Sequence, residues 1–74
     1  MADEIEMIPV TSSNVAAIGY DEEEKVLRVA FNNGAEYEYD GVSVDTFEHL
    51  RDAGSVGGYF NSVIKRRYEG RRVS

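Results

Sequence analysis

The feature that most constrains this chain is a turn sequence, Asn32-Asn33-Gly34, between two segments in which apolar and polar residues alternate. The first segment spans residues 25–31 and the second spans 35–39, and both have the period of two that is typical of β-strands. Asn and Gly readily adopt the left-handed backbone conformation that tight hairpin turns require. The sequence therefore predicts an antiparallel β-hairpin here.

The length of the hairpin loop decides which side chains share a face of the sheet. A two-residue loop would place Val29 beside Glu38, and a carboxylate would then lie among core side chains. A three-residue loop instead pairs Val29 with Tyr37 and keeps the apolar residues together. We therefore predict a three-residue loop with Gly34 in the left-handed region, and with Tyr37 and Tyr39 on the core face.

A further strand is predicted over residues 14–20, upstream of the hairpin. A four-residue acidic loop, 21–24, would pair Ile18 with Leu27 and keep apolar residues on one face. The apolar positions Val15 and Ile18 are out of phase by one residue, which predicts a bulge near residues 16–17.

From residue 44 onward the apolar period changes from two to about 3.6, which indicates helices. We expect Ser43 to cap the first helix and Gly54 to end it in a left-handed conformation. Ser55 can cap a second helix, which Gly70 breaks. The predicted fold is α+β: a three-stranded antiparallel β-meander followed by two helices packed on one face (βββαα), with residues 1–9 as a flexible N-terminal tail and 10–74 as the domain.

Composition excludes several classes of function. With no Cys and a single His, the 74-residue chain has neither a disulfide framework nor a His- or Cys-based metal site, and no cofactor motif is present. No apolar stretch approaches the roughly 20 residues of a membrane span, and the acidic N-terminus lacks the plan of a signal peptide. We therefore expect a cytoplasmic protein with no metal, no cofactor and no catalytic residues.

Charge is distributed unevenly along the chain, whose net charge is −6. Residues 1–50 hold twelve acidic side chains against two basic ones, whereas residues 51–74 hold six basic against two acidic. Such asymmetry allows one end of a protein to meet an anionic partner. An acidic surface with a basic tail, or adaptation to a salty cytoplasm, would give the same composition.

The basic residues near the C-terminus form the clearest candidate for nucleic-acid binding, because phosphate recognition needs clustered cations. An aromatic residue among them could stack on a base. The alternative is a solvated helix end whose cations complement the helix dipole. The candidate residues are Lys65, Arg66, Arg67, Tyr68, Arg71 and Arg72.

Three other features are weaker candidates for sites. Ser55, Gly57 and Gly58 at a helix start could offer backbone N–H groups to an anion, or the glycines could permit close packing. The acidic loop 21–24 lacks the spacing of a calcium loop, so a solvated turn is favoured. His49 has no partner at a spacing typical of a catalytic triad, so an exposed helix position is favoured.

The sequence also resembles the KTSC domain family. Tyr37-Glu38-Tyr39 matches the central Tyr-x-Tyr signature of that family. Two positions depart from the pattern: Ser43 replaces a usual proline, and Tyr68-Glu69-Gly70 lacks the second aromatic residue of a common Tyr-Pro-Tyr run. The other matching residues, in order, are Ser12-Ser13-Asn14, Ile18-Gly19-Tyr20-Asp21, Leu27, Val29, Phe31, Gly34, Gly41-Val42, Phe47, Leu50, Ser55, Gly57, Tyr59-Phe60-Asn61, Ile64, Arg67, Tyr68 and Val73.

The resemblance implies a small domain found alone in microbial and phage proteins and at the C-terminus of some lysyl-tRNA synthetases. That second setting suggests RNA binding, and the resemblance implies nothing about catalysis. Tyr37 and Tyr39 could stack on bases, but their predicted place on the core face favours a structural role.

The sequence leads to one main hypothesis and two alternatives. The main hypothesis is a non-enzymatic binding module that contacts RNA or another polyanion through its basic C-terminal end. The first alternative is a protein–protein interaction adaptor with no nucleic-acid role, and the second is an enzyme whose site forms only in an oligomer.

Overall fold

A computed structural model describes residues 5–74. Within this range, five strands form one antiparallel sheet in the order β1-β2-β3-β4-β5, and two helices follow β4 in the chain. The second helix, α2, covers residues 56–67 and has an α-helical first turn, a π-helical middle and an α-helical last turn. The elements are β1 Met7–Pro9, β2 Val15–Asp21, β3 Val26–Phe31, β4 Glu36–Asp40, α1 Val44–Arg51, α2 (Val56–Tyr59, Phe60–Ile64 and Lys65–Arg67) and β5 Gly70–Arg72.

The hairpin between β3 and β4 has the predicted three-residue loop. Val29 pairs with Tyr37, and the N–H of Phe31 donates to the carbonyl of Ala35 at 2.8 Å. Gly34 adopts a φ of 93°, which a residue with a side chain rarely tolerates. The Asn33 side-chain oxygen accepts from the N–H of Ala35 at 3.0 Å and holds the turn. The predicted register is therefore confirmed.

The pairing of β2 with β3 differs from the prediction. Ile18 lies opposite Val29, and Tyr20 lies opposite Leu27, so the predicted pairing of Ile18 with Leu27 is wrong. The turn occupies residues 22–25 because Lys25 adopts a left-handed φ of 58°, which moves the loop one residue along the chain. Each β2 side chain still lies on its predicted face of the sheet, since its actual partner in β3 is two positions from the predicted one and side chains alternate between faces. The predicted bulge is present between Val15 and Ala17.

The prediction of a three-stranded sheet is wrong because both ends of the described chain add an edge strand. β1 pairs with β2 through Ile8 and Ile18, and it lies within the segment predicted as an N-terminal tail. β5 pairs with β4 and places Arg72 opposite Tyr37. Both strands are only three residues long, too short to show a period of two in the sequence. Residues 1–4 of the predicted tail lie outside the described residues.

Serine caps begin both helices, as predicted. The Ser43 hydroxyl accepts from the N–H of Thr46, and the Ser55 hydroxyl accepts from the N–H of Gly58. The predicted end of α1 at Gly54 is wrong, because α1 ends at Arg51 and Gly54 does not adopt a positive φ.

Both helices cover one face of the sheet and enclose the core. Fully buried side chains from the sheet, such as Ile18 and Leu27, meet Leu50 of α1 and Ile64 of α2. On the opposite face, Arg28 forms an ion pair with Glu38 at 2.9 Å. Within residues 5–74, neither helix has the length and apolar character needed to cross a membrane.

Candidate nucleic-acid interface

A cleft of about 510 Å³ lies between the β3–β4 hairpin and α2. Aromatic rings, asparagine side chains and one lysine line it, and these come from separate parts of the chain. Its size is within the range of roughly 300–1,000 Å³ that is usual for small-molecule sites. The aromatic residues are Phe31, Tyr37, Tyr39 and Phe60, and the other lining residues are Ser13, Asn14, Asn32, Asn33, Asn61 and Lys65.

The aromatic side of the cleft consists of rings packed edge to face. Phe31 contacts Tyr37 with ring centroids 5.8 Å apart and Phe60 with centroids 5.3 Å apart. Phe60 contacts Tyr39 in the same manner at 5.6 Å. Tyr39 is buried, whereas Phe31 and Tyr37 remain half-buried at the cleft surface. Burial raises the pKa of the Tyr39 hydroxyl above its ordinary value, and the nearby Tyr37 adds to this effect.

The rim of the cleft carries asparagine amides, two of which are fixed by internal hydrogen bonds. The Asn32 side-chain nitrogen donates to the carbonyl oxygens of Ser12 at 3.1 Å and Ser13 at 3.0 Å. The Asn33 side-chain oxygen accepts from Ala35, which leaves its NH₂ group as a donor. Asn61 is exposed, and its amide has no hydrogen bond to residues 5–74. The rim therefore offers both donors and acceptors.

The π-helical middle of α2 brings the helix residues of the cleft together. It spans Phe60–Ile64, and the N–H of Lys65 donates to the carbonyl of Phe60 across a widened turn. Phe60 contributes a ring to the cleft, while Asn61 and Lys65 lie at its rim. Short π-helical segments are frequent at functional sites.

The predicted basic cluster is divided by the fold. Lys65, Arg66 and Arg67 are exposed at the end of α2, and none makes an ion pair with a residue in 5–74. Arg71 instead lies on the outer face of the sheet, where Glu38 at 3.0 Å and Asp40 accept its hydrogen bonds.

The remaining two residues of the predicted cluster differ in exposure. Arg72 is exposed, and it lies on the same face as Tyr37 because the two are direct partners in the sheet. The Nε of Arg72 donates to the carbonyl of Ser74 at 3.0 Å. Tyr68 is half-buried against the core, so only part of its ring is accessible.

The segment Ser55-Val56-Gly57-Gly58 has the geometry of a packed helix start. The N–H of Gly58 already donates to the Ser55 hydroxyl at 3.1 Å. Gly57 is buried, and a Cβ there would lie 2.9 Å from the hydroxyl oxygen of Ser12. These contacts favour the packing interpretation over an anion site.

The other candidates make local contacts. The Asp21 carboxylate accepts from the N–H groups of Glu23 and Glu24 at 3.0 and 3.2 Å, so it caps the acidic turn. His49 is exposed on α1. Among residues 5–74, no group of three His, Cys, Asp or Glu side chains could hold a metal ion.

The cleft is not among the sites that the sequence predicts, although several of its residues are part of the family resemblance. Asn14, Phe31, Phe60 and Asn61 all belong to the string that carries the family resemblance. They are far apart in the sequence and meet only after the sheet pairs and α2 packs. The one signal in the sequence is Phe60-Asn61, where an asparagine directly follows an aromatic residue in that string.

The fold and the cleft define a class: a small α+β domain with an antiparallel sheet, two helices on one face, and an aromatic cleft between helix and hairpin. The sequence model of the KTSC domain family matches residues 11–68, which is most of the chain. The chain belongs to the KTSC domain family.

Relatives and a solved structure agree with this assignment. The chain is 36% identical over 61 residues to an uncharacterized protein of Stutzerimonas stutzeri, covering 82% of this chain and 86% of that protein. It is 40% identical over 62 residues to a protein of Tsukamurella paurometabola, covering 84% of this chain and 92% of the other. The crystal structure of a KTSC domain protein from Yersinia pestis matches with a TM-score of 0.89 at 32% identity, covering 96% of this chain and all of that one.

Proposed function

We propose that this KTSC domain is a non-enzymatic module that binds RNA through the basic end of α2. The observation that carries the proposal is a run of three consecutive exposed cations, Lys65, Arg66 and Arg67, of which the first lines an aromatic cleft. Cations without an internal partner can exchange their counterions for phosphates, and this exchange dominates nucleic-acid affinity.

The distribution of charge supports a defined orientation of the bound RNA. Acidic side chains neutralise Arg28 and Arg71 on the outer face of the sheet. Three carboxylates, Glu36, Glu38 and Asp40, stand against these two arginines, so the face keeps a negative charge and repels a polyanion. The RNA backbone is therefore directed to the end of α2, with Arg72 on the same side of the sheet as the cleft.

The proposal is tested by a fluorescence polarisation titration with a labelled single-stranded RNA over a series of salt concentrations. If Lys65, Arg66 and Arg67 each contact one phosphate, the slope of log K against log salt should be about −2. The double variant Arg66→Gln/Arg67→Gln should reduce the magnitude of that slope by about 1.4.

A matched control removes the same net charge elsewhere. Lys25→Gln/Arg51→Gln alters two exposed cations that do not line the cleft. We expect this control to bind RNA nearly as tightly as the unmodified domain. Equal weakening by the two double variants would mean that only net charge matters, and an absence of RNA binding at low salt would contradict the proposal.

A protein partner is the second candidate, and the edges of the sheet favour it. Ile8 on β1 is 40% exposed, and Val73 just after β5 is 39% exposed. Exposed sheet edges can pair with a strand of another protein. An adaptor of this kind should lose capture of its partner in the variants Ile8→Lys or Val73→Lys, while Arg66→Gln/Arg67→Gln leaves capture intact.

A further inference from the structure

We infer that the cleft between the hairpin and α2 binds a single unpaired nucleobase, with the attached phosphate on Lys65. This inference rests on the proposed function and specifies its ligand: a single-stranded nucleotide segment rather than a duplex or a featureless polyanion. It also implies that Tyr37, Asn33 and Asn61 contact the base, which a purely electrostatic interaction with phosphates would not require.

The aromatic rings provide the first argument. Phe31 and Tyr37 are half-buried at the cleft, so part of each ring is accessible, and their contacts with each other and with buried Phe60 limit their motion. A ring already held in place loses little conformational freedom when a base packs on it. Accessible aromatic rings are the usual platforms for unpaired bases.

The rim provides the second argument, because its acceptors do not suit an anion. The side-chain nitrogen of Asn32 donates to two backbone carbonyls, which fixes the orientation of the amide. Its side-chain oxygen remains available to accept a hydrogen bond. A phosphate only accepts hydrogen bonds and gains nothing from such an oxygen. The edge of a base offers both donors and acceptors, and it can match this oxygen together with the free NH₂ of Asn33 and the amide of Asn61.

The position of the lysine provides the third argument. Lys65 follows the π-helical segment and is the only cationic residue that lines the cleft among those that the structure describes. One charge at the rim beside rings and amides matches the layout of a nucleotide, which has one phosphate attached to one heterocycle. Arg66 and Arg67 continue the helix beyond the cleft and can contact neighbouring phosphates of the same strand.

These features predict a preference among nucleic-acid forms. A base within a duplex is paired and stacked, so it can enter the cleft only after leaving the helix. A free mononucleotide can occupy the cleft but cannot reach Arg66 and Arg67 with further phosphates. The domain should therefore bind single-stranded oligonucleotides more tightly than either a duplex or a mononucleotide.

The test compares five ligands by isothermal titration calorimetry at constant salt: a six-nucleotide single-stranded RNA, an abasic ribose-phosphate chain of equal length, a blunt RNA duplex, adenosine monophosphate and an extended hexapeptide of Asp and Tyr. Stacking of one base predicts that the abasic chain binds roughly 5- to 150-fold more weakly than the RNA. Asn61→Ala should weaken RNA binding while leaving abasic binding unchanged, because Asn61 contacts the base and not the phosphate.

Two further variants keep this test informative. Ser62→Ala changes the next exposed position of α2, which does not line the cleft, and should leave both affinities unchanged. Tyr37→Leu should remove most of the difference between RNA and abasic chain. The thermal melt of Tyr37→Leu shows whether this variant remains folded. If it does not, Asn61→Ala alone decides whether the cleft binds a base.

Each outcome leads to a definite conclusion. Equal affinity for RNA and the abasic chain would overturn the base-binding inference and leave the proposed function standing, since phosphate contacts alone would explain the binding. Equal binding of duplex and single strand would also overturn it. No binding of any nucleic acid would overturn both, and Asn61-dependent binding of an extended Asp/Tyr hexapeptide that exceeds RNA binding would assign the cleft to a protein partner.

Discussion

The substitution Gly70→Ala should destabilise the domain, because a methyl group at this position collides with a buried ring. Gly70 begins β5 directly opposite Tyr39, and the Tyr39 ring lies over the glycine. A Cβ at residue 70 would be 2.7 Å from Cζ of Tyr39 and closer still to Cε2. Tyr39 cannot easily move away, since it is 6% exposed and packs against Phe60.

The clash can be relieved in two ways, and each lowers the free energy of unfolding. Either the Tyr39 ring shifts within the core, or β5 separates from β4. Forcing extra atoms into a packed site costs about 1–3 kcal/mol. A loss of about 2 kcal/mol lowers the melting temperature of a domain of this size by roughly 8–16 °C.

The assay is thermal unfolding followed by circular dichroism, with Gly54→Ala as the matched control. Gly54 has open space where a Cβ would lie and does not adopt a positive φ, so alanine there should be neutral or stabilising by up to about 1 kcal/mol. Adding Tyr39→Leu to Gly70→Ala should give a smaller total loss than the sum of the single losses, because the clash disappears. If Gly70→Ala and Gly54→Ala melted within about 2 °C of each other, the account of β5 would be refuted.

Three further predictions concern the turn, the core and pH. Gly34→Val should lower the melting temperature more than Asn33→Ala, because only the first forces a side chain into a φ of 93°; equal melts would contradict the hairpin geometry. Tyr20→Phe removes the hydrogen bond from the Tyr20 hydroxyl to the carbonyl of Val42 and should cost about 1 kcal/mol in urea unfolding, whereas an unchanged midpoint would show that this bond contributes nothing. Burial raises the pKa of Tyr39, so its neutral hydroxyl stabilises the fold fully below about pH 10, and this contribution is lost as pH rises through the raised pKa; urea midpoints should therefore fall as pH rises above about 10, and less so in Tyr39→Phe.

The parts of the fold that sequence predicts are those in which local chemistry and side-chain pattern agree. At the hairpin, the preference of Gly34 for a left-handed φ and the alternation around Val29 favour the same loop length. At the helix starts, Ser43 and Ser55 each precede an apolar period of about 3.6. In these places a short segment contains the information that its structure needs.

The parts that sequence does not predict depend on contacts between distant segments. β5 exists because residues 70–72 pair with β4, and Gly70 is required by the ring of Tyr39 rather than by its neighbours. The turn between β2 and β3 lies one residue further along than predicted because Lys25 adopts a left-handed φ. Nothing in a run of charged residues indicates that its lysine will adopt this conformation. The sequence predicts that Gly54 ends α1, but α1 ends at Arg51.

The candidate site shows the same division. The exposed cations at the end of α2 are predictable, since consecutive basic residues near a helix C-terminus are visible in the sequence. The position of Arg71 on the acidic outer face is not predictable, because it depends on the pairing of Arg71 with Glu38. The cleft itself joins Asn14, the hairpin and Asn61, and only the folded chain brings these together.

The central claim is that RNA binds at the cleft and at the adjoining end of α2. The most direct measurement is a titration of the ¹⁵N-labelled domain with a six-nucleotide single-stranded RNA at low salt, followed by two-dimensional NMR. The account predicts saturable shifts in the side-chain amide signals of Asn33 and Asn61 and in the backbone signals of residues 61–67, with little change in β1 or around Asp21. An absence of shifts, or shifts concentrated on the acidic outer face around Arg28 and Glu38, would contradict it.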